Sequence, residues 1–184
     1  QRHHLLRVSI MWMGLRRASV IIYGILFVIA TQLTLVYAGC AITPDATGHV
    51  TIPDGVKSIG KAAFYKCSTL ISVSIPDSVT HLGNHSFQES ALQFVSIPAS
   101  VVDIGYAAFA LCNDLRNTTM KSSNDPTYTA SMSIGRSAFQ QCSSLASVTM
   151  GDSVTSIGRS AFAHCFRLAS VTIPDSVTSI GDYA

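Results

Sequence analysis

The stretch Ser153–Gly181 reads SVTSIGRSAFAHCFRLASVTIPDSVTSIG, and its first six residues return as its last six, 23 residues later. A repeat length of about 20 to 50 residues marks a stack of similar structural units. The pattern extends back through the chain, with a phenylalanine at Phe64, Phe87, Phe109, Phe139 and Phe162. The sequence therefore predicts a repeat protein, and the repeat has to be defined before helices or strands are assigned.

Aligned on these phenylalanines, the other apolar residues fall into columns. The unit reads L-x-x-V-x-I-P-D-x-V-x-x-I-G-x-x-A-F-x-x-C-x-x. One such unit is too short to bury its own apolar face. Stacking solves this, because each column then becomes a ladder through a shared interior and stability becomes a sum of unit and neighbour contributions. We therefore expect a solenoid of stacked coils.

Each part of the unit predicts a local structure. The L-x-x-V-x-I segment predicts a short strand that pairs in parallel with its copies about 4.8 Å away. Proline ends several of these strands, since it lacks the N–H that a ladder needs. The x-x-A-F-x-x-C segment has helical spacing and predicts one helical or 3₁₀ turn with the Phe side chain pointing inward. A glycine follows the Ile column, where we expect backbone geometry that a side chain would resist; these are Gly60, Gly83, Gly105, Gly135, Gly158 and Gly181.

Ser153–Gly181 resembles the BspA-like branch of leucine-rich repeat proteins, whose unit reads I-P-x-S-V-T-x-I-G-x-x-A-F-x-x-C-x-x-L. The resemblance covers residues 47–184. It implies a right-handed leucine-rich-repeat solenoid of about five to six units of about 23 residues. Departures occur at Ser90, which replaces the column cysteine, and after Met120 and Met150, where proline is absent.

The resemblance also implies a secreted or cell-surface protein that serves as a protein-binding or adhesion module, with no catalytic residue and no cofactor. Two alternatives stay open: a structural, self-associating surface or wall component, and the ectodomain or targeting arm of a larger receptor or enzyme. The expected partner is an extracellular or cell-surface protein, such as a matrix protein, or a glycan. The last unit stops where the next phenylalanine is due, so its open coil is a candidate surface for self-association.

Residues 1–38 differ from the repeats in composition. They contain four arginines and no acidic residue, whereas residues 39–184 carry eight Lys and Arg against ten Asp and Glu. The basic charge therefore belongs to this leader and gives no reason to expect a nucleic-acid partner. A basic region, an apolar run and the small residue Ala38 are typical of a secretory signal peptide cut after Ala38. Residues 39–46 are interpreted as a short linker to the repeats.

Two other interpretations of the leader stay open. Residues 18–38 are long enough to span a bilayer as an uncleaved hydrophobic helix, which would be the chain's one contact with a membrane. Small residues before Cys40 also fit a bacterial lipoprotein signal. All three interpretations place the repeats outside the cytoplasm.

Recognition is expected on two surfaces. Residues 121–133 form a polar insertion between coils, in which Tyr128 is the expected contact residue. The outward positions of the predicted strands form a neutral, hydroxyl-rich face from which Phe94 and Arg116 stand out, and aromatic and Arg side chains are the usual hot spots of interfaces. Phe94, Arg116 and Tyr128 are therefore the candidate binding residues; in each case an ordinary solvated surface is the alternative.

Four cysteines share one inward column and are expected to be buried thiols: Cys67, Cys112, Cys142 and Cys165. A disulfide between Cys142 and Cys165 is the alternative, since adjacent coils lie within disulfide distance. Aspartates after the strands are expected to cap turns rather than bind calcium, and no metal site is predicted. Histidine and serine spacing indicates no catalytic arrangement.

Two Asn-x-Ser/Thr sequons are candidate glycosylation sites in a eukaryotic secretory pathway. Asn84 lies in a predicted turn. Asn117 lies in a predicted strand and is therefore the poorer acceptor.

Overall fold

The computed structural model describes residues 34–35, 40–123 and 131–184. Most of the leader lies outside the described residues, as does Tyr128. Thr34 and Leu35 are described, and they form a strand, so the hydrophobic helix predicted over residues 18–38 is wrong at these two positions. They pair in parallel with Ser58–Ile59, which satisfies backbone groups at the edge of that strand. No helix within the described part of the chain has the length and apolar character needed to cross a membrane.

Short parallel strands build two sheets in the described residues. Sheet 1 has the order β1-β3-β5-β7-β9-β11-β12, and sheet 2 has the order β10-β8-β6-β4-β2. The strands of sheet 1 are β1 Thr34–Leu35, β3 Ser58–Ile59, β5 His81–Leu82, β7 Asp103–Ile104, β9 Met132–Ile134, β11 Val154–Ile157 and β12 Ser179–Ile180. The strands of sheet 2 are β2 His49–Thr51, β4 Ser72–Ser74, β6 Phe94–Ile97, β8 Asn117–Met120 and β10 Ser147–Met150.

Sheet 2 is the ladder that the sequence predicts, with its Val and Ile columns buried between exposed Ser and Thr positions. In β6, for example, Val95 and Ile97 are buried whereas Phe94 and Ser96 are exposed. Sheet 1 was not predicted. Its strands are mostly two or three residues long, too short to show an alternating pattern in the sequence.

The phenylalanines form a continuous stack through the core. Adjacent ring centroids lie 5.1, 5.0, 5.0 and 5.2 Å apart, with the ring planes within 4° of parallel. Four of the rings are fully buried, and Phe162 is partly buried. The inward orientation predicted for this column is confirmed.

The segment between the glycine and the cysteine columns, here called the turn segment, is not helical, so the predicted helical or 3₁₀ turn is wrong. In Gly105–Cys112, Ala108 N–H bonds the Gly105 carbonyl and Cys112 N–H bonds the Phe109 carbonyl. Other N–H groups of the segment bond to the next coil instead: the N–H of Phe109, for example, donates to the Ala138 carbonyl at 2.8 Å. Ala107 and Leu111 adopt left-handed φ values of 52° and 61°, which a helix excludes. The turn segments thus form a third ladder between coils.

Close approach between coils requires glycine at Gly83, Gly105, Gly135, Gly158 and Gly181. Their φ angles are not positive; a Cβ atom on Gly83 would lie 2.7 Å from the Gly60 carbonyl carbon, and one on Gly158 would lie 2.7 Å from the Gly135 carbonyl carbon. Real Cβ atoms essentially never approach backbone so closely. A side chain at Gly83 or Gly158 would therefore force two coils apart.

Cys67 departs from the predicted column of thiols. It forms a disulfide with Cys40, with the two Cα atoms 5.1 Å apart. The sequence alignment missed this pair because Cys40 precedes the repeats. A lipid-modified Cys40 is incompatible with the disulfide. Cys112, Cys142 and Cys165 are free, as predicted, so Cys142 and Cys165 are not joined.

Two buried hydroxyls interrupt apolar columns. Ser86 occupies a column otherwise filled by buried alanine, and Thr118 replaces valine. Neither side-chain oxygen has a hydrogen-bond partner in the described region. Each therefore costs stability relative to the apolar residue of its column.

Replacement of Phe109 by Ala is expected to lower the free energy of unfolding by about 3 to 5 kcal/mol, because it leaves a cavity between two stacked rings. Denaturant unfolding measures the change. Phe166→Ala is the matched control: this ring is 82% exposed, so its removal should change stability by no more than about 0.5 kcal/mol. Equal stabilities for the two variants would contradict a stacked core.

Candidate binding face

The outward side chains of sheet 2 form a face in two registered rows. The strand register aligns the first row as His49, Ser72, Phe94, Asn117 and Ser147. It aligns the second as Thr51, Ser74, Ser96, Thr119 and Thr149, and a further bridge adds Thr172. The strands themselves hold these side chains in place, because every residue between the rows is buried in the core. We call this surface the sheet 2 face.

The face is polar but carries little charge. Ser147 donates a hydrogen bond to the Asn117 side-chain oxygen at 2.7 Å. The two ring nitrogens of His49 lie 2.7 Å from the Ser72 hydroxyl and 3.1 Å from the Ser74 hydroxyl. Neither row contains an acidic residue or a lysine. The face can therefore recognise a partner through hydrogen bonds and apolar contact, and it has little charge for long-range attraction.

Phe94 supplies the apolar contact. Its side chain is 48% exposed, and it lies between its register partners Ser72 and Asn117. Arg116 is exposed and immediately precedes Asn117, the register partner of Phe94, so Arg116 lies next to the strand that pairs with β6. The backbone N–H of Arg116 donates to the Gln93 carbonyl at 2.9 Å, which fixes the position of Arg116 immediately before β8.

The turn segments carry a cluster that sequence reasoning missed. An open hollow of about 250 Å³ is lined by Ala62, Tyr65, His85 and Gln88. Beside it, the Tyr65 hydroxyl donates to Glu89 at 3.2 Å, and Lys66 pairs with Glu89 at 3.6 Å. Hydrogen bonding to Tyr65 and the charge of Glu89 raise the pKa of Lys66.

No sequence signal marks this cluster, because its members occupy variable positions of different units. Its charged groups already satisfy one another, and the hollow is wide open to solvent. We therefore regard the sheet 2 face as the better candidate for binding a macromolecule.

The free cysteines are built into the core. Each thiol donates to the carbonyl of a phenylalanine in the preceding coil: Cys112 to Phe87 at 3.0 Å, Cys142 to Phe109 at 3.1 Å and Cys165 to Phe139 at 3.1 Å. Burial raises the pKa of Cys112 and of Cys165 to about 11, and it raises that of Cys142 well above its usual range. These thiols are therefore protonated at neutral pH and poorly suited to nucleophilic chemistry.

Metal binding has no support among residues 40–123 and 131–184, where no three His, Cys, Asp or Glu side chains are placed to share an ion. Asp45, which precedes the first strand of sheet 2, accepts hydrogen bonds from the Thr47 side chain and from the Thr47 and His49 N–H groups, and these lower its pKa. It shows how an aspartate at a turn is used here for capping.

A family profile described as BspA type leucine rich repeat region matches residues 41–132 and 126–184, with six copies of the repeat. The chain belongs to the BspA-type leucine-rich repeat family. Stacked leucine-rich repeats form extended surfaces, and the sheet 2 face is one such extended surface of this family member.

Solved leucine-rich repeat proteins share the fold. One from Eubacterium ventriosum is 25% identical with a TM-score of 0.63, over 81% of this chain and 44% of that protein. One from T. pallidum is 27% identical with a TM-score of 0.63, over 81% of this chain and 74% of that protein. The chain thus spans less than half of the Eubacterium protein. Comparison with curated proteins finds no match.

The cysteines can be distinguished by alkylation at pH 8 followed by intact mass measurement. The folded chain should take up no label, the denatured chain three, and the denatured and reduced chain all five, since the sequence contains five cysteines. Burial favours the neutral form of the Cys112 thiol and raises its pKa from the ordinary 9.0 to about 11. The buried thiol therefore contributes fully to the stability of the fold below pH 9.0, and this contribution is lost as the pH rises through about 11. Labelling should accordingly begin in the folded chain only at such high pH. Five labels without reductant would contradict the disulfide.

Proposed function

We propose that this BspA-type repeat protein is exported and binds another protein at the cell surface or outside the cell through the sheet 2 face. The observation that carries the proposal is the exposed Phe94 ring in the middle of a rigid, registered and nearly uncharged face. A large aromatic side chain surrounded by small hydrogen-bonding groups is the usual composition of an interface hot spot and its rim. Because the strands hold the face, little ordering is needed on binding.

Export is supported by two independent features of the chain. The first is the basic and apolar leader, which fits a signal peptide or an anchor. The second is the Cys40–Cys67 disulfide, since disulfides form and persist mainly in oxidising compartments. Adhesion is the specific role that we propose for an exported protein of this kind.

The face also indicates the chemistry of the partner. Its hydroxyl and amide groups offer both donors and acceptors, Phe94 needs an apolar recess, and Arg116 favours a carboxylate or a carbonyl cluster. A partner protein with a neutral surface around one apolar recess fits this pattern. Because the rows lack acidic residues and lysines, binding should depend only weakly on salt.

The test is saturation binding of the full chain, purified in its exported form, to intact cells and to extracellular-matrix proteins. The double variant Phe94→Ala/Arg116→Ala is expected to bind about 30-fold more weakly, since truncation of a hot spot costs about 2 kcal/mol or more. Phe166→Ala/Arg167→Ala is the matched control, because it removes the same two side-chain types from exposed positions outside sheet 2 and should bind normally.

A third variant, Tyr128→Ala, tests the insertion separately. Equal weakening by the control pair and the face pair would contradict the sheet 2 face as the binding site. Saturable binding of the chain to itself alone would contradict adhesion and support the structural alternative.

A further inference from the structure

The two glycosylation sequons occupy different places in the solenoid. Asn84 is exposed in the turn segment that follows β5, whereas Asn117 begins β8 and lies in the sheet 2 face. The Asn84 side-chain oxygen accepts a hydrogen bond from the Tyr106 backbone N–H at 2.8 Å. This bond fixes the amide, and the side-chain nitrogen, the atom to which a glycan is attached, keeps no partner in the described residues. A glycan could therefore be added without disturbing the turn.

Ser86, the hydroxyl residue of this sequon, has no packing reason to be serine. It is fully buried, and its oxygen is without a partner in the region described. The same column holds alanine in the other described coils, at Ala63, Ala108, Ala138 and Ala161. Alanine would fill the position without a buried, unsatisfied hydroxyl. The sequon, in contrast, requires Ser or Thr at this position.

Tyr106 offers a surface that a glycan would cover. Its ring is 45% exposed and lies edge-on to His85, with the two ring centroids 5.1 Å apart. Because its backbone holds the Asn84 side chain, the ring is next to the point of attachment. The first sugar would shield an aromatic surface that is otherwise left in water.

We infer that Asn84 is N-glycosylated when the chain passes through a eukaryotic secretory pathway, and that Asn117 is not. The donor is a lipid-pyrophosphate-linked oligosaccharide. The Asn84 side-chain nitrogen forms a bond to C1 of the first sugar and loses one proton, while the C1–oxygen bond to the pyrophosphate breaks and the lipid pyrophosphate leaves.

The choice between the sequons rests partly on the proposed function. A glycan on Asn117 would stand in the sheet 2 face beside Phe94, its register partner. A glycan on Asn84 is attached in a turn segment and leaves the face open.

The test is secretion of the full chain from a eukaryotic host, with intact mass and peptide mapping before and after peptide N-glycosidase. That enzyme converts a glycosylated Asn to Asp, so conversion is expected at position 84 and not at position 117. Asn84→Gln and Ser86→Ala should each abolish the glycan, whereas Ser86→Thr and Asn117→Gln should retain it.

Thr118→Val is the matched control for Ser86→Ala. It removes the other unpartnered hydroxyl but keeps the Asn117 sequon intact, because the middle position of a sequon accepts any residue except proline. When all three chains are produced without glycosylation, both variants should melt at a higher temperature than the parent, so loss of the glycan from Ser86→Ala cannot be attributed to misfolding.

Secreted chain without a glycan at Asn84, or with one only at Asn117, would overturn the inference and leave export and binding intact. Failure of the chain to leave the cytoplasm would overturn export and, with it, the glycan. If glycosylation is normal but binding is lost equally in Phe94→Ala/Arg116→Ala and in Phe166→Ala/Arg167→Ala, only the proposed binding face is contradicted.

Discussion

The spacing between successive coils governs this structure. Parallel strands hold neighbouring backbones about 4.8 Å apart, and stacked phenylalanine rings lie at nearly the same distance, with centroids 5.0 to 5.2 Å apart. The two interactions therefore repeat together without strain from coil to coil. The glycine column belongs to the same constraint, since a Cβ atom on Gly83 or Gly158 would meet the backbone of the preceding coil. One distance thus determines which residues each inward column accepts.

The same spacing explains why the proposed function is assigned to outward positions. Inward positions are buried, so a polar side chain there is costly when it finds no hydrogen-bond partner, as the hydroxyls of Ser86 and Thr118 show. Outward positions carry no such limit, so Phe94 can replace serine in the sheet 2 face without altering the stack. The face is consequently a regular polar surface from which Phe94 and Arg116 stand out, and these are the residues to which we assign the proposed binding.

Much of this structure could be predicted from the sequence, because each column position occurs once in every repeat unit and its residue type can be compared across the units. The buried phenylalanines, the Val and Ile ladder of β6 and the exposed position of Phe94 follow directly from the alignment. The structure of the turn segment could not be predicted, because its residue spacing fits a helical turn equally well. In the structure, successive N–H groups instead donate alternately to the same coil and to the next coil. The Cys40–Cys67 disulfide joins a residue outside the repeat to one within it, and no periodicity reports such a pair. Met132 was hidden by the insertion, yet it pairs with Val154 and is fully buried.

Amide hydrogen exchange tests most directly whether the turn segments, like the strands, are hydrogen-bonded from coil to coil. The N–H groups of Ala107, Phe109 and Leu111 donate to the next coil, so they should exchange as slowly as the amides of β6. Exchange of these three amides at least about a hundredfold faster than that of β6 would show that the turn segments are held only locally, and it would contradict a solenoid held by three ladders.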